Sequence, residues 1–357
     1  MSGEIIRLCG EVPVFGLISH SLLAVIWKDE QLSIVIVMSH FIGWIRKKKR
    51  EWTKSALDRV VFGVVSLLGV FARMLSWPAA RRFASLIGDC MHTVGLRREL
   101  VYRNIALTFP AKSSTEIRAI ATQVYRNVAV TLFDVLRFPL IRERADVTAL
   151  IDLDPELYFR GTDNGRRGAV VVSAHYGNWE LMAMAFGFMF KPITIIVKRL
   201  SNEPLDRSMN ELRTMHGNSV VYGDQAIRAG LRLLADGGVL SLLADQSDPT
   251  ATYFGEFLGR RATLFHGAAF FALKAKVPLF VGMCRSGSDG RYTVDVHHIE
   301  TSDLTFCKAD IAILASRYTL VIEESIRRWP EEWFWLHNRW KNGGEERVLD
   351  LDKKDPI

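Results

Sequence analysis

Cysteine is scarce in this chain: 4 in 357 residues, at positions 9, 90, 284 and 307. Cys9, Cys90, Cys284 and Cys307 are scattered and form no C-x-x-C and no His/Cys cluster at ligand spacing. That argues against a disulfide framework and against zinc, and no other metal site is expected. There is no Gly-x-Ser-x-Gly elbow, so a serine hydrolase of that type is not indicated. No nucleic-acid-binding motif is legible despite the basic balance. Internal repeats and low-complexity segments are missing. Nor is there a clean membrane-length apolar run near the start. Residues 12–27 are apolar but are interrupted by Lys28-Asp29-Glu30, and Leu32 to Ile45 ends at Arg46-Lys47-Lys48-Lys49-Arg50. A bilayer span takes about 20 residues. No small-residue cleavage site follows a positive region, so a signal peptide fits poorly. One hypothesis is that translation starts at Met38 and that residues 1–37 are in part an artefact of start-site choice; N-terminal mass determination decides this.

What is present is apolar bulk with excess positive charge. Hydrophobic residues make up 49%, the net charge is +7, and the mean hydropathy is +0.10. Such a balance suits an anionic membrane surface, a phosphorylated substrate or an acidic carrier protein. Leu57 to Trp77 is the best membrane candidate, charged only at Asp58, Arg59 and Arg73. With Arg59 and Arg73 free to snorkel, it is expected to be a membrane-embedded or membrane-lying anchor, a transmembrane helix in the stronger version. Arg46 to Arg50, with Lys54, would hold the preceding segment at a cytoplasmic, anionic leaflet.

Helical spacing follows over Ala79 to Val94, Arg98 to Phe109 and Thr115 to Phe138, punctuated by Pro78, Pro110 and Pro139. Asp134 is a carboxylate inside an apolar stretch, where a satisfied polar contact is the ordinary meaning. From Gly165 the pattern alternates. Strands are expected at Ala169 to Ser173, Ile193 to Lys198, Ser219 to Tyr222, Val239 to Ala244, Pro278 to Cys284 and Tyr292 to Val296. Helices are expected at Trp179 to Phe190, Leu205 to His216, Gln225 to Ala235, Leu264 to Lys276 and Ala309 to Arg328. This is an α/β pattern: a largely parallel central sheet flanked by helices and preceded by an N-terminal helical anchor region. Four segments result: a leader at 1–54, an anchor and helical region at 55–150, an α/β domain at 151–342 and a charged tail at 343–357.

The chain is organised around Ala169-Val170-Val171-Val172-Ser173-Ala174-His175-Tyr176-Gly177-Asn178-Trp179-Glu180. A β-branched apolar run reads as a parallel strand covered on both faces. Gly177 and Asn178 form a turn, and Asn178 can cap the helix opening at Trp179. His175 and Glu180 are five apart, and a strand-turn-helix path can bring them together at a strand's C-terminal end, where α/β folds bind ligands. A carboxylate beside a His fixes its tautomer and stabilises the imidazolium, giving a general base for a substrate hydroxyl. The pair also occurs by chance, as a core His and a helix-dipole Glu.

Further residues narrow the reading. They are Ser173 to Glu180, Lys198-Arg199 with Asn202 and Pro204-Leu205, Ala244-Asp245-Gln246, and Phe257-Leu258-Gly259 with Gly267 and Val277-Pro278. Trp335 to Lys341 and the upstream Arg103 to Pro110 extend the series. In this order, over roughly residues 55 to 342, the chain resembles the lipid A biosynthesis (late) acyltransferases of the bacterial lysophospholipid acyltransferase superfamily. The resemblance implies a glycerol-3-phosphate-acyltransferase-like fold and location at the cytoplasmic face of the inner membrane. It implies an acyl carrier protein thioester as donor, a lipid A precursor as acceptor, and no cofactor. His175 is then the base and Glu180 its partner. Arg199 at a strand end would bind phosphate or stabilise an oxyanion, and backbone N–H groups near Gly177 to Trp179, Asn178 among them, at a helix N-terminus would stabilise the oxyanion. Asp245 would orient Arg199 or the acceptor, with Asn202 a weaker polar candidate. Without the resemblance, Arg199 would read as a solvated charge and Asp245 as a turn former.

Tyr253, Phe254, Phe257 and Leu258, with Phe265, are candidates for the wall of an acyl channel, although such a stripe is more often core. Here the chain departs from the family pattern, reading Phe257-Leu258-Gly259-Arg260-Arg261-Ala262 with Leu264 at the usual Thr position. Arg339 and Lys341 among Trp329, Trp333, Trp335 and Trp340 suit a membrane interface, and with Arg260 and Arg261 an acidic carrier protein. The alternatives are acylation of a lysophospholipid or a mannosylated inositol lipid, and a non-catalytic membrane-binding homologue.

Overall fold

The computed structural model describes residues 51–247, 253–287 and 289–341. The apolar runs before residue 50, the basic cluster Arg46 to Arg50, Met38 and the charged tail lie outside the described residues.

Four helices come first: α1 (Glu51–Met74), α2 (Trp77–Val94), α3 (Arg98–Thr108) and α4 (Ser114–Leu136). Pro78 does not interrupt α2 but sits in its first turn, where its missing N–H costs nothing, with Ser76 capping from outside. The helix ends at Gly95, whose φ of 81° closes the C-terminus. A capping box of Ser113 and Glu116 starts α4. α2 crosses α4 closely at Gly88, where a Cβ would stand 2.7 Å from the Arg126 backbone nitrogen. Ala72, Ala84, Ala129, Phe133 and Leu136 fill the space between α1, α2 and α4.

Among the described residues, no helix is long and apolar enough to cross a membrane, so the transmembrane expectation for Leu57 to Trp77 is not met. The charges explain part of this. Asp58 is buried, and Arg73 does not snorkel: its Nη1 donates to Leu136 O at 3.1 Å, closing the α4 C-terminus. The outward face of α1 is nonetheless apolar, with Val60, Val64, Leu67, Phe71 and Met74 exposed at helical spacing.

The α/β part then runs α5 (Arg144–Thr148), β1 (Ile151–Asp152), α6 (Glu156–Gly161), β2 (Ala169–Ser173), α7 (Trp179–Met189), β3 (Ile193–Val197), α8 (Glu203–Thr214), β4 (Ser219–Tyr222), α9 (Ala226–Ala235) and β5 (Val239–Leu243). It continues with β6 (Phe254–Phe257), β7 (Arg260–Thr263), α10 (Gly267–Ala275), β8 (Leu279–Ser286), β9 (Tyr292–Ile299) and α11 (Lys308–Arg328). The main sheet has the order β1-β9-β8-β2-β5-β3-β4. It is parallel from β8 to β4, and β9 is antiparallel to β8. Both faces are covered, as the β-branched runs require. Val170, Val172, Leu240 and Leu242 pack with α9, α10 and α11. Ala169 and Val239 on the other face pack with Tyr158 and Ile193, and Phe186 of α7 lies against them.

The aromatic stretch from Tyr253 is a separate antiparallel hairpin, β6 with β7. Leu258 and Gly259 both have positive φ, 55° and 78°, the geometry of a tight two-residue hairpin turn. After α11 the chain turns at Pro330–Glu332 and returns to the end of β2. There Tyr176 bridges Trp333, and Phe334 N donates to His175 O at 2.9 Å.

Candidate active site

The sheet register builds the centre of the site. Ser173 of β2 is paired with Leu243 of β5, so the next residues but one on each strand, His175 and Asp245, come side by side. His175 N donates to Asp245 Oδ2 at 3.1 Å, and His175 Nδ1 lies 2.9 Å from Oδ1. Trp333 Nε1 donates to Oδ2 at 2.8 Å. Burial alone would raise the Asp245 pKa, but the attraction of His175 and the bonds from His175 and Trp333 outweigh it and hold the carboxyl below its ordinary range. With Nδ1–H on the carboxylate, Nε2 carries the lone pair and is the basic atom. The His175 side chain is 13% exposed, so the base is reachable from outside. The Gln246 amide nitrogen lies 3.3 Å from Nε2, and the rings of Trp179 and Phe334 border the imidazole.

Glu180 is in the first turn of α7, as expected, but its carboxylate is held elsewhere. Arg213 of α8 donates to it through Nε at 3.0 Å and Nη2 at 2.5 Å. Burial pushes the Glu180 pKa up, but Arg213, and after it His175, pull it below the ordinary value. The carboxylate that bonds the His175 ring is therefore Asp245 and not Glu180. Asp245 in turn does not orient Arg199.

The turn between β2 and α7 is fixed from three sides. Gly177 has φ +55°, and a Cβ there would stand 1.8 Å from Cys284 O. Its N–H donates to Glu332 O at 2.9 Å, so it is not available as an oxyanion donor. Thr131 of α4 donates to Gly177 O at 3.1 Å. Asn178 accepts from Leu181 N at 3.0 Å, the expected cap, and donates to Asp134 at 3.1 Å. Asp134 is fully buried and also accepts from Arg81 at 2.9 and 3.2 Å and from Tyr292 at 3.1 Å. It is the satisfied polar contact expected there, and it ties α2 and β9 to the turn between β2 and α7.

The other sequence candidates fall further out. Arg199 is exposed at the end of β3 and stacks on the Tyr222 ring at 3.8 Å; its structural contacts do not include the His175 pair. Asn202 caps α8, accepting from Leu205 N at 3.1 Å, and its amide donates to Asp58 O. Of the hairpin residues, Phe257 and Leu258 are buried, Phe254 is exposed and Tyr253 packs on His266. Phe257 lies 5.4 Å from Trp333, which joins the hairpin to the Asp245 carboxylate. The tryptophan-rich tail is not an interfacial belt: Trp333, Trp335 and Trp340 are at most 2% exposed. Their indole N–H groups are satisfied inside, on Asp245, Pro330 O and Phe257 O.

Sequence reasoning missed Arg213, Trp333 and Gln246 as site residues. Gln246 is signalled by its place next to Asp245; nothing local marks Arg213 or Trp333. Among the described residues, no group of three or more His, Cys, Asp or Glu is placed to hold a metal ion.

This arrangement, a buried carboxylate aligning an accessible imidazole at the C-terminal edge of a parallel sheet, suits removal of a proton from a hydroxyl. The model of the family described as bacterial lipid A biosynthesis acyltransferase matches residues 45–342. The lipid A biosynthesis lauroyltransferase of Escherichia coli K12 is 25% identical over 277 residues, 76% of this chain and 88% of that protein. The lipid A biosynthesis palmitoleoyltransferase of the same organism is 23% identical, over 75% of this chain and 86% of that protein. The phosphatidylinositol mannoside acyltransferase of Mycolicibacterium smegmatis is 28% identical over 56% of this chain and 63% of its own length. With the family match running from before α1 to the end of the C-terminal segment that closes on His175, the chain belongs to the bacterial lipid A biosynthesis acyltransferase family.

Proposed function

We propose that the protein is a membrane-associated O-acyltransferase that moves a fatty acyl chain from an acyl carrier protein thioester to a hydroxyl of a lipid A precursor. The observation that carries this reading is the 2.9 Å contact between His175 Nδ1 and Asp245 Oδ1, which leaves Nε2 as the base. His175 Nε2 takes the proton of the acceptor hydroxyl, and the oxygen attacks the thioester carbonyl. The tetrahedral intermediate collapses, the C–S bond breaks, and the imidazolium returns its proton to the departing thiolate. Asp245 stabilises the imidazolium directly, and Glu180, already neutralised by Arg213, adds a weaker field. As written, the reaction needs no metal or redox cofactor. Arg199, exposed at its strand end, is suited to a phosphate of the acceptor or of the carrier. The exposed apolar stripe of α1 and the net charge of +7 support seating on an anionic bilayer, at the cytoplasmic face of the inner membrane.

A second acceptor, a mannosylated inositol lipid, is favoured by the likeness to the Mycolicibacterium smegmatis protein. The test is mass-spectrometric detection of transfer by purified protein in detergent, with acyl carrier protein thioesters and each acceptor, including a lysophospholipid. Transfer to the lipid A precursor that is lost in His175→Ala supports the proposal. Transfer to another acceptor alone overturns the pathway and keeps the chemistry. No His175-dependent transfer to any acceptor contradicts the enzyme reading and favours a membrane-binding protein.

A further inference from the structure

An oxyanion forming on a thioester carbonyl needs hydrogen-bond donors of its own, beyond the base. Two donors expected from the sequence are engaged elsewhere. Gly177 N–H is taken by Glu332 O at 2.9 Å, and Arg199 lies over the Tyr222 ring. Other backbone N–H groups at the dyad are also committed: His175 N to Asp245, Tyr176 N to Ala174 O and Phe334 N to His175 O. Gln246 is differently placed. It follows Asp245 directly as the chain leaves β5, and it is half-buried. Its amide nitrogen lies 3.3 Å from His175 Nδ1 and 3.3 Å from Nε2. A point equally far from both ring nitrogens lies on the outward in-plane axis of neither. Within the ring plane such a point would collide with Cε1, so the amide stands over the ring face. Asp245 occupies the in-plane position at Nδ1, and Gln246 leaves the matching axis of Nε2 to the acceptor hydroxyl.

We propose that Gln246 is a catalytic residue of the acyl transfer proposed above, on which this inference rests, and that its amide N–H groups hold the oxyanion of the tetrahedral intermediate. The step it serves balances in atoms and charge. As Nε2 takes the hydroxyl proton, the new C–O bond forms and the carbonyl π pair moves onto oxygen. When that pair returns, the C–S bond breaks and the imidazolium gives its proton to the thiolate. The oxygen that carries the charge is one carbon removed from the hydroxyl oxygen seated on Nε2. A donor beside Nε2 but off its axis flanks that position, whereas a donor on the axis would block the hydroxyl. A side-chain amide offers two N–H groups and no net charge, so it binds the neutral carbonyl weakly and the oxyanion strongly. The rings of Trp179 and Phe334 border the imidazole and lower the local permittivity, which strengthens such a bond. Asp245 and Gln246 thus serve one imidazole in succession. The first fixes its tautomer, and the second receives the negative charge that the attack creates.

The experiment compares the wild-type chain, Gln246→Met and Gln246→Ala in single turnover with two donors. One is the carrier-bound acyl thioester, and the other is its dithioester, in which sulfur replaces the carbonyl oxygen. Sulfur accepts hydrogen bonds poorly, so the dithioester reports the reaction without the oxyanion contact. With the thioester, both variants are expected to lose about 10²-fold in rate at an unchanged half-saturating donor concentration. With the dithioester they should react as fast as the wild-type chain. A residue that only steadied the imidazole would be missed equally with either donor, because both reactions need the base. Equal losses with the two donors, or no loss with the thioester, overturn this inference alone. If the wild-type chain does not turn over the dithioester, a long-chain alkylphosphonate methyl ester, a stable tetrahedral anion, replaces it. It should bind the wild-type chain about 10²-fold more tightly than Gln246→Met, and equal binding overturns the inference. No His175-dependent transfer by the wild-type chain to any acceptor overturns it together with the proposed function.

Discussion

The two carboxylates near His175 belong to regions built on different logic. On the Asp245 side, β5 and the returning C-terminal segment press a carboxylate onto the imidazole and add the Trp333 N–H to it. On the Glu180 side, the carboxylate opening α7 is closed off by Arg213 of α8. Both are buried acids beside one histidine, and both are held in the ionised form. Only the first has the geometry to fix a tautomer. Proximity in sequence is therefore a poor guide to which acid serves the base: Glu180 is five residues away, and Asp245 is one strand away in space.

The comparison can be sharpened by separating chemistry from stability. The largest effect is expected for Asp245→Asn and His175→Ala, each lowering kcat by about 10³–10⁴-fold, with the double variant scarcely worse than either. Full additivity in that cycle would mean that the two do not act as one unit. Glu180→Gln should instead show its main effect in folding. Stranding the buried Arg213 charge is expected to cost about 3–5 kcal/mol, read as a lower denaturation midpoint, and Arg213→Met in the same chain should restore much of it. If the second substitution restores nothing, the ion pair is not what Glu180 contributes.

Gly177→Ala tests the turn that both regions share. A side chain at φ +55° facing Cys284 O should destabilise by about 3 kcal/mol; an unchanged midpoint would mean that the turn relaxes freely. Behind the turn, Glu332 is the smallest case. Burial pushes it up to about 7, against an ordinary value of 4.5. A carboxyl raised on folding weakens the fold as pH climbs from the ordinary value to the raised one. Wild-type stability should fall between about pH 4.5 and 7, by at most roughly 3 kcal/mol from this group. Glu332→Gln should flatten that part of the curve in pH-dependent denaturation; an unaltered slope would assign it to other groups.

Much of the architecture was legible. The Val170-Val171-Val172 run identifies a doubly covered strand, and His175 does stand where it ends. The helix cap at Asn178 follows from local chemistry. What was not legible depended on strand order. That β5 lies beside β2 cannot be read from either segment, so the sequence points Asp245 at Arg199 or the acceptor rather than at His175. The tail misled for a different reason. Tryptophan among cations describes an interfacial belt as well as a buried layer, and only the internal acceptors at Asp245, Pro330 O and Phe257 O decide for the latter. Likewise, Arg73 on an apolar helix looks like a snorkelling charge until the carbonyl of Leu136 is found opposite it.

The most direct measurement is the single-turnover rate of acyl transfer per folded molecule, with Asp245→Asn and Glu180→Gln measured beside the wild-type chain. The account predicts a loss of at least about 10³-fold for Asp245→Asn and less than about 10-fold for Glu180→Gln. The reverse order would contradict it, and would make Glu180 the acid on which the base depends.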